Sequence, residues 1–167
     1  MTEVPAFFNL YRHNFARVAV AVPPVRVADP AVNARETIAL MQEADARHAL
    51  VTLFPELGLS GYACDDLFHQ QALLEACLTA LSEIVAASRQ LSTTAIVGLP
   101  LVIDGLLFNC GAVVHRGRLL GLVPKNYLPN YREFYEARQF VPASYLQRDS
   151  IDLIGQTGIP CSPDLLF

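Results

Sequence analysis

Short apolar runs alternate along this chain with longer segments in which apolar residues recur every three or four positions. The short runs predict buried strands, and the longer segments predict amphipathic helices. Turn signals at Asp104-Gly105 and Arg116-Gly117 bracket the last long runs as a hairpin, so an α/β domain with a mixed sheet is predicted. Strands are predicted at 17–22, 49–54, 94–99, 106–115 and 118–123, helices at 29–48 and 66–90, and shorter extended segments at 150–154 and 159–167.

The two predicted helices each have one apolar face. Asp29 followed by Pro30 predicts a helix start, because the carboxylate can accept a backbone N–H and proline at the first helical position has no N–H to leave unpaired. The second helix carries an apolar stripe at helical spacing. The predicted inner faces are Ala31, Ala34, Ile38 and Met41 in the first helix, and Leu74, Cys77, Leu78, Leu81 and Val85 in the second.

Composition narrows the class of protein. The 167 residues are 53% hydrophobic and only 17% charged, with a net charge of −4, and they contain no basic run, so nucleic acid is not expected as the main partner. The longest apolar region, 95–114, is broken by glycine, proline and aspartate, and the first residues lack a signal-peptide pattern, so neither a membrane segment nor export is expected. We expect a cytoplasmic protein. The apolar excess and the apolar end Leu165-Leu166-Phe167 predict an incomplete domain that meets further chain or other subunits.

Cysteine and histidine give no metal or disulfide pattern. The four cysteines, Cys64, Cys77, Cys110 and Cys161, show neither CxxC pairing nor dense spacing, and the four histidines are scattered. No glycine-rich phosphate loop occurs. We therefore expect reduced thiols, no metal and no cofactor held by this chain.

Two charged residues lie where a predicted strand gives way to a loop, the usual place for ligands in α/β sheets. Glu56 follows the strand at 49–54, and Lys125 follows the strand at 118–123. Eleven of the twelve basic residues are arginine, so Lys125 is the only lysine, and it begins a segment rich in tyrosine and carboxylate. An ammonium is a compact point charge, unlike the planar guanidinium fork. It remains open that Lys125 is an ordinary solvated surface lysine, and that Glu56 is a carboxylate in water or paired with an arginine. The chemical interpretation requires that the two side chains converge on a shared hollow that excludes water.

Three segments resemble a known family. FPELGLSGYACDDLF at 54–68 and PKNYLPNYREFYE at 124–136 are similar to the first two signature blocks of the carbon–nitrogen hydrolase (nitrilase) superfamily, and RHNFARVAVAV at 12–22 fits one branch of it. That branch is the glutaminase domains of glutamine-dependent NAD synthetases. The resemblance implies an αββα sandwich with a mixed sheet, of which residues 1–167 would be the N-terminal part. It also implies hydrolysis of L-glutamine, whose ammonia a separate ATP- and Mg²⁺-dependent part transfers to deamido-NAD, in a homo-oligomer.

The resemblance assigns roles to five residues. Glu56 matches the general base, Lys125 the lysine that stabilises the oxyanion, and Glu136 a second glutamate that accompanies the lysine. Tyr62 and Tyr131 match positions that line the glutamine pocket. Amide hydrolysis through a thioester needs a base for the thiol and for water, and a fixed positive donor where the oxyanion develops.

The family's nucleophilic cysteine has no match in this chain. It ends a later strand and precedes acidic residues, a context that none of the four cysteines has; Cys161 lies in a stretch resembling the one before that strand. The ATP-site motif Ser-Gly-Gly-x-Asp-Ser is absent as well. We therefore expect the chain to lack both the nucleophile strand and the synthetase domain, and to be inactive alone. Two alternatives stay open: a stand-alone amidase acting on a small amide, and a non-catalytic binding module.

Overall fold

The structure, a computed structural model, describes residues 6–167. The prediction about a signal sequence concerns the first residues, of which 1–5 lie outside the described part. Short 3-10 helices, among them Asp65–His69 and Ala143–Tyr145, connect the main elements. These elements are β1 (Val18–Val20), α1 (Pro30–Ala46), β2 (Val51–Leu53), α2 (Gln71–Ala87), β3 (Thr94–Ile103), β4 (Leu106–His115), β5 (Arg118–Pro124), α3 (Glu136–Gln139), β6 (Ser150–Leu153) and β7 (Gln156–Pro160).

Five strands form one mixed sheet in the order β1-β2-β3-β4-β5, which confirms the predicted fold class. The first three strands are parallel, with Val18 beside Val51 and Val51 beside Thr94. β3, β4 and β5 form an antiparallel meander. A parallel sheet needs crossover connections, and α1 and α2 supply them. The second sheet is the β6–β7 hairpin, which continues as a bridge from Cys161 to Leu122 of β5.

The two faces of the five-stranded sheet differ in what covers them. Side chains alternate between faces along a strand, and Ala95, Val97 and Leu99 of β3 are buried in the core that includes α1 and α2. On the opposite face Val20 is 75% exposed and Leu53 is 43% exposed. The described residues thus form one helix layer on one face of the sheet, and we call the opposite side the open face. The second half of the four-layer sandwich stays a prediction.

Several predicted boundaries were wrong. β3 does not end at Leu99 but runs to Ile103, because pairing with β4 continues through Pro100, which lies opposite Asn109. The predicted helix at 66–90 is three pieces, with a 3-10 turn before α2 and another after it, and an extended Gln70 separates α2 from the first. The predicted start of α1 was right, since the Asp29 side chain accepts the N–H of Val32.

The inner face of α1 is turned from the predicted one. Ala31 is exposed, whereas Asn33 and Thr37 are buried. Asn33 can be buried because its amide nitrogen donates to the carbonyl oxygens of Arg26 and Leu59. Hydrogen bonds to backbone offset the cost of burying an amide, so apolar periodicity alone misses such a position.

The helix over Gln71–Gln90 is long and apolar enough, by length and composition, to cross a membrane. The prediction about membrane segments rested only on the broken apolar region at 95–114, which does not point to this helix. Cys77, Leu81 and Ile84 of α2 are fully buried, and α2 packs against α1 and the sheet. Core packing accounts for these apolar residues. The stripe is only partly as predicted, because Leu74 and Leu78 lie at its margin while Leu73, Ala80 and Ile84 are buried.

Candidate active site

Glu56 is held in a tight loop that crosses the open face after β2. The loop can lie against β3 because residue 98 is glycine: a Cβ there would lie within 3 Å of the Pro55 carbonyl oxygen, at 2.7 Å, and of the Glu56 carbonyl carbon, at 2.9 Å. Leu57 adopts a φ of 52°, in the left-handed region that costs a non-glycine residue about 1 kcal/mol or more. Close packing and a strained turn therefore fix where the Glu56 side chain begins.

Lys125 follows β5 directly and is anchored by its backbone on both sides. Its N–H donates to the carbonyl oxygen of Asn109 at 2.8 Å, and its carbonyl oxygen accepts from Ala143 at 3.0 Å. The Nζ atom lies 2.7 Å from Oε1 of Glu56. It also lies 3.0 Å from Oε1 and 2.9 Å from Oε2 of Glu136. The ammonium thus sits between two carboxylates from distant parts of the chain.

Glu136 is the buried member of this cluster. It begins α3, its side chain is 4% exposed, and its N–H donates to the carbonyl oxygen of Pro129 at 3.2 Å. The hydroxyl of Tyr62 donates to Oε1 at 2.7 Å. A buried carboxylate needs a cation and hydrogen bonds to offset its lost hydration. Lys125 and Tyr62 supply both.

Electrostatics keep the Lys125 ammonium charged. Burial alone would lower the pKa of Lys125, but its hydrogen bonds to Glu56 and Glu136, and the charges of these carboxylates, outweigh that effect and raise the pKa. Burial, the hydrogen bond to Glu136 and both negative charges raise the pKa of the Tyr62 phenol. At neutral pH Lys125 is therefore a fixed positive donor rather than a base, and Tyr62 stays protonated.

Four of the five predicted site residues come together, but the site differs from the prediction in two ways. The hollow is not closed to water at Glu56, whose side chain is 42% exposed, because the open face is uncovered there. Tyr131 is 63% exposed, and its ring lies against Phe134 with centroids 5.8 Å apart, without a hydrogen bond to the cluster among the described residues. The roles of all five remain predictions.

A cavity of about 520 Å³ adjoins the cluster. Tyr62 and Glu136 form part of its wall, with Phe140 and the ion-paired Asp66 and Arg138, whose atoms lie 3.1 Å apart. The wall therefore combines an aromatic surface with both signs of charge.

Asn109 is part of the cluster and was not predicted from the sequence. Its side chain is buried on β4, and its Nδ2 donates to Oε1 of Glu56. The signal was present in the sequence, since Asn109 is the only amide or charged side chain in the apolar run 106–114. A buried amide in the middle of a strand needs a partner, and here the partner is Glu56.

None of the four cysteines has the features of a nucleophile. All four are buried, and burial raises the pKa of each thiol: to about 12 for Cys77, to about 11 for Cys161, and upward for Cys64 and Cys110. A thiolate is the reactive form of cysteine, so these shifts work against reactivity. Within residues 6–167, no group of three or more histidine, cysteine or acidic side chains is placed to hold a metal ion.

Comparison with known proteins gives consistent matches. Glutamine-dependent NAD(+) synthetase from Mycobacterium tuberculosis is 40% identical over 161 residues, covering 96% of this chain and 23% of that protein. The crystal structure of a glutamine-dependent NAD(+) synthetase from Cytophaga hutchinsonii has a TM-score of 0.82 at 27% identity, covering 91% of this chain and 26% of that one. An amidase from Nesterenkonia, at a TM-score of 0.64 and 21% identity, covers 77% of this chain and 49% of its own, and shares the fold.

The chain therefore spans about a quarter of the length of the curated synthetases that it matches. The family model described as carbon-nitrogen hydrolase matches residues 17–159, a span that contains Glu56, Lys125, Glu136 and Asn109. Because that span is most of the chain, this protein belongs to the carbon-nitrogen hydrolase family.

Proposed function

We propose that this chain is the N-terminal part of the glutamine-hydrolysing domain of a glutamine-dependent NAD synthetase. The observation that carries the proposal is the Lys125 ammonium held at 2.7 Å from Glu56 and 2.9 Å from Glu136. A general base beside a fixed cation is what amide hydrolysis requires. The similarity to synthetases over 96% of the chain supports glutamine as the amide.

In the proposed reaction, a cysteine thiol from further chain attacks the carboxamide carbon of glutamine. Glu56 takes the thiol proton and delivers it to the departing nitrogen, so ammonia leaves and a thioester remains. Water then attacks the thioester carbon while Glu56 accepts a proton from it; the carbon–sulfur bond breaks, Glu56 returns the proton to the departing thiolate, and glutamate is released. In both steps Lys125 donates a hydrogen bond to the oxygen that becomes negative. Glu136 keeps the ammonium in place. The raised pKa of Lys125 keeps its proton on Nζ.

The proposal places the binding of ATP and Mg²⁺ outside this chain. The sequence has no glycine-rich phosphate loop, and the described residues include no cluster of three or more acidic, histidine or cysteine side chains to bind a metal ion. Amidation of deamido-NAD is therefore assigned to another part of a longer polypeptide. Cytoplasmic location and a homo-oligomer belong to the same proposal. The exposed apolar residues of the open face, including Val18 and Val20, support further packing partners.

The test is an activity assay on the full polypeptide that carries this chain. We expect glutamine to support NAD formation from deamido-NAD and ATP, and free ammonia to replace it. Glu56→Gln should lower glutamine use by about 10²–10⁴-fold, the usual contribution of a general base, and leave ammonia use intact. Glu43→Gln, which removes a carboxylate from an exposed ion pair on α1, is the matched control and should change neither.

Two other results would contradict the proposal. Hydrolysis of a small amide without any ATP-dependent product would identify a stand-alone amidase. Glutamine binding without turnover would identify a binding module.

A further inference from the structure

Asn109, on β4, contacts both Glu56 and Lys125. Its Nδ2 donates to Oε1 of Glu56, while its backbone carbonyl oxygen accepts the N–H of Lys125 at 2.8 Å. One residue thus fixes the base through its side chain and the lysine through its main chain. Contacts of both kinds from a single position on a central strand resist independent movement of Glu56 and Lys125.

Strand alternation explains why Asn109 faces the site. Asn109 lies opposite Pro100 in the antiparallel pair of β3 and β4. Gly111, two residues after Asn109, lies opposite Gly98, two residues before Pro100, so Asn109 and Gly98 face the same side of the sheet. That side is the open face, over which the Glu56 loop crosses at Gly98. Any apolar side chain at 109 would place a surface without donors against the Glu56 carboxylate. An amide of the same size supplies a neutral donor.

The hydrogen bonds divide the two carboxylate oxygens of Glu56. Oε1 accepts from Lys125 at 2.7 Å and also from Asn109. Oε2 has no hydrogen-bond partner among the described residues, and the side chain is 42% exposed on the open face. An oxygen that already accepts two strong donors is a weak proton acceptor, because its lone pairs are occupied. The free oxygen is the one that an incoming thiol or water can reach.

We propose that Asn109 is a positioning residue that, together with Lys125, occupies one oxygen of Glu56 and thereby makes the other oxygen the basic atom of the site. The proposal rests on the amide-hydrolysing function proposed above. Asn109 touches no substrate atom in this account, and it acts only through the orientation of Glu56. Its loss should therefore change the rate of the chemical steps and not the binding of substrate.

Kinetics of two substitutions in the full polypeptide test the proposal. Asn109→Ala should lower kcat for glutamine hydrolysis by about 10–100-fold, the range for a misplaced catalytic group, with KM within about twofold. Asn109→Asp keeps the shape but replaces the donor by an acceptor, so kcat should fall at least as far. A role in packing alone would make the isosteric aspartate the milder change. A rise in KM with kcat unchanged, or Asn109→Asp more active than Asn109→Ala, would overturn the proposal.

Thr93→Val is the matched control for loss of a buried hydrogen bond. Thr93 is fully buried, and its hydroxyl forms a hydrogen bond with the hydroxyl of Thr52 at 2.8 Å. It lies just before β3, seven residues before Pro100, the residue paired with Asn109, and so about 20 Å away along the strand. Its loss should lower stability by about 1–3 kcal/mol, as that of Asn109 does, but leave kcat unchanged. A kcat for Thr93→Val reduced as far as for Asn109→Ala would show a general effect of destabilisation and overturn the proposal.

Crystal structures separate this proposal from the proposed function. If the wild-type polypeptide hydrolyses no amide, the proposed function fails. The role of Asn109 can still be tested, because it depends on whether the Glu56 carboxylate moves in the Asn109→Ala crystal structure. The proposal predicts that the Glu56 carboxylate rotates or becomes disordered in Asn109→Ala while Lys125 and Glu136 stay in contact. An unchanged Glu56 carboxylate in that variant would overturn it.

Discussion

The ion pairs around Lys125 and the pair between Arg47 and Glu43 both join a basic side chain to carboxylates, but in different surroundings. Arg47 and Glu43 lie one turn apart on and just after α1, with side chains 72% and 53% exposed. Lys125 is 28% exposed, contacts two carboxylates, and one of them, Glu136, is 4% exposed. The first pair is local in sequence, whereas the second cluster joins residues 69 and 11 positions apart.

The difference shows which charged contacts organise this protein. Water screens an exposed pair, and such pairs contribute about 0–1 kcal/mol. A buried carboxylate that loses its cation keeps its desolvation cost, so breaking a buried pair costs several times more. The Lys125 cluster therefore connects the segments after β2 and β5 with the start of α3. The Arg47–Glu43 pair connects only neighbouring turns at the end of α1. Substitutions in the Lys125 cluster, in the Arg47–Glu43 pair and in the contact between β3 and the Glu56 loop should show whether the buried and the exposed ion pairs differ in this way.

The largest effect is expected for Lys125→Met. It should lower the free energy of unfolding by about 3 kcal/mol, because Glu136 is left buried without a cation, and it should abolish glutamine hydrolysis. Chemical denaturation and the glutaminase assay measure the two effects. An equal stability loss in the double variant Lys125→Met, Glu136→Gln would contradict the account, since neutralising Glu136 should recover part of it.

Gly98→Ala should come next, with a loss of about 1–3 kcal/mol from overpacking against the Pro55–Leu57 backbone and a lower kcat from displacement of Glu56. Gly111→Ala is the matched control. It pairs directly with Gly98, but a Cβ there meets nothing closer than 3.9 Å. Thermal unfolding and kcat should separate the two alanine variants, and similar values for both would show that the close approach at Gly98 does not position Glu56.

A pH titration should give a smaller effect. Since the Lys125 pKa is raised in the folded state, its ion pairs stabilise the fold fully below its ordinary value of 10.5, and this contribution is lost as the pH rises through the raised pKa. The stability difference between wild type and Lys125→Met should be constant from about pH 7 to 10 and shrink above that range. If, as the pH rises, the stability difference between wild type and Lys125→Met already begins to shrink before about pH 9, the raised pKa of Lys125 is contradicted.

Arg47→Gln should have the smallest effect, about 0.5 kcal/mol or less, because the exposed i,i+4 pair is screened by water. The small difference should vanish in about 1 M salt. A loss above about 1 kcal/mol would remove the contrast on which the comparison depends.

The sequence predicted the elements better than their edges. Apolar runs located every strand of the main sheet, but the prediction ended the third strand at Leu99, because the pairing of Pro100 with Asn109 can be known only from the register. Periodicity placed both helices, yet it missed the buried Asn33, because a polar residue satisfied by backbone groups leaves no apolar signal.

For the site, the motifs identified Glu56, Lys125 and Glu136, which do converge in space. They did not identify Asn109, since its role depends on strand alternation and on the path of a distant loop. They also could not show that Glu56 lies partly open to water, because exposure depends on what covers the open face.

The most direct test of the central claim is the activity of Lys125→Arg in the full polypeptide with glutamine and with ammonia as nitrogen source. The guanidinium keeps the charge but cannot occupy a niche shaped for a point charge between two carboxylates. The account predicts that glutamine-dependent synthesis falls about 100-fold or more, as for the loss of an oxyanion donor, while ammonia-dependent synthesis is unchanged. Normal glutamine turnover by Lys125→Arg would contradict the role assigned to Lys125.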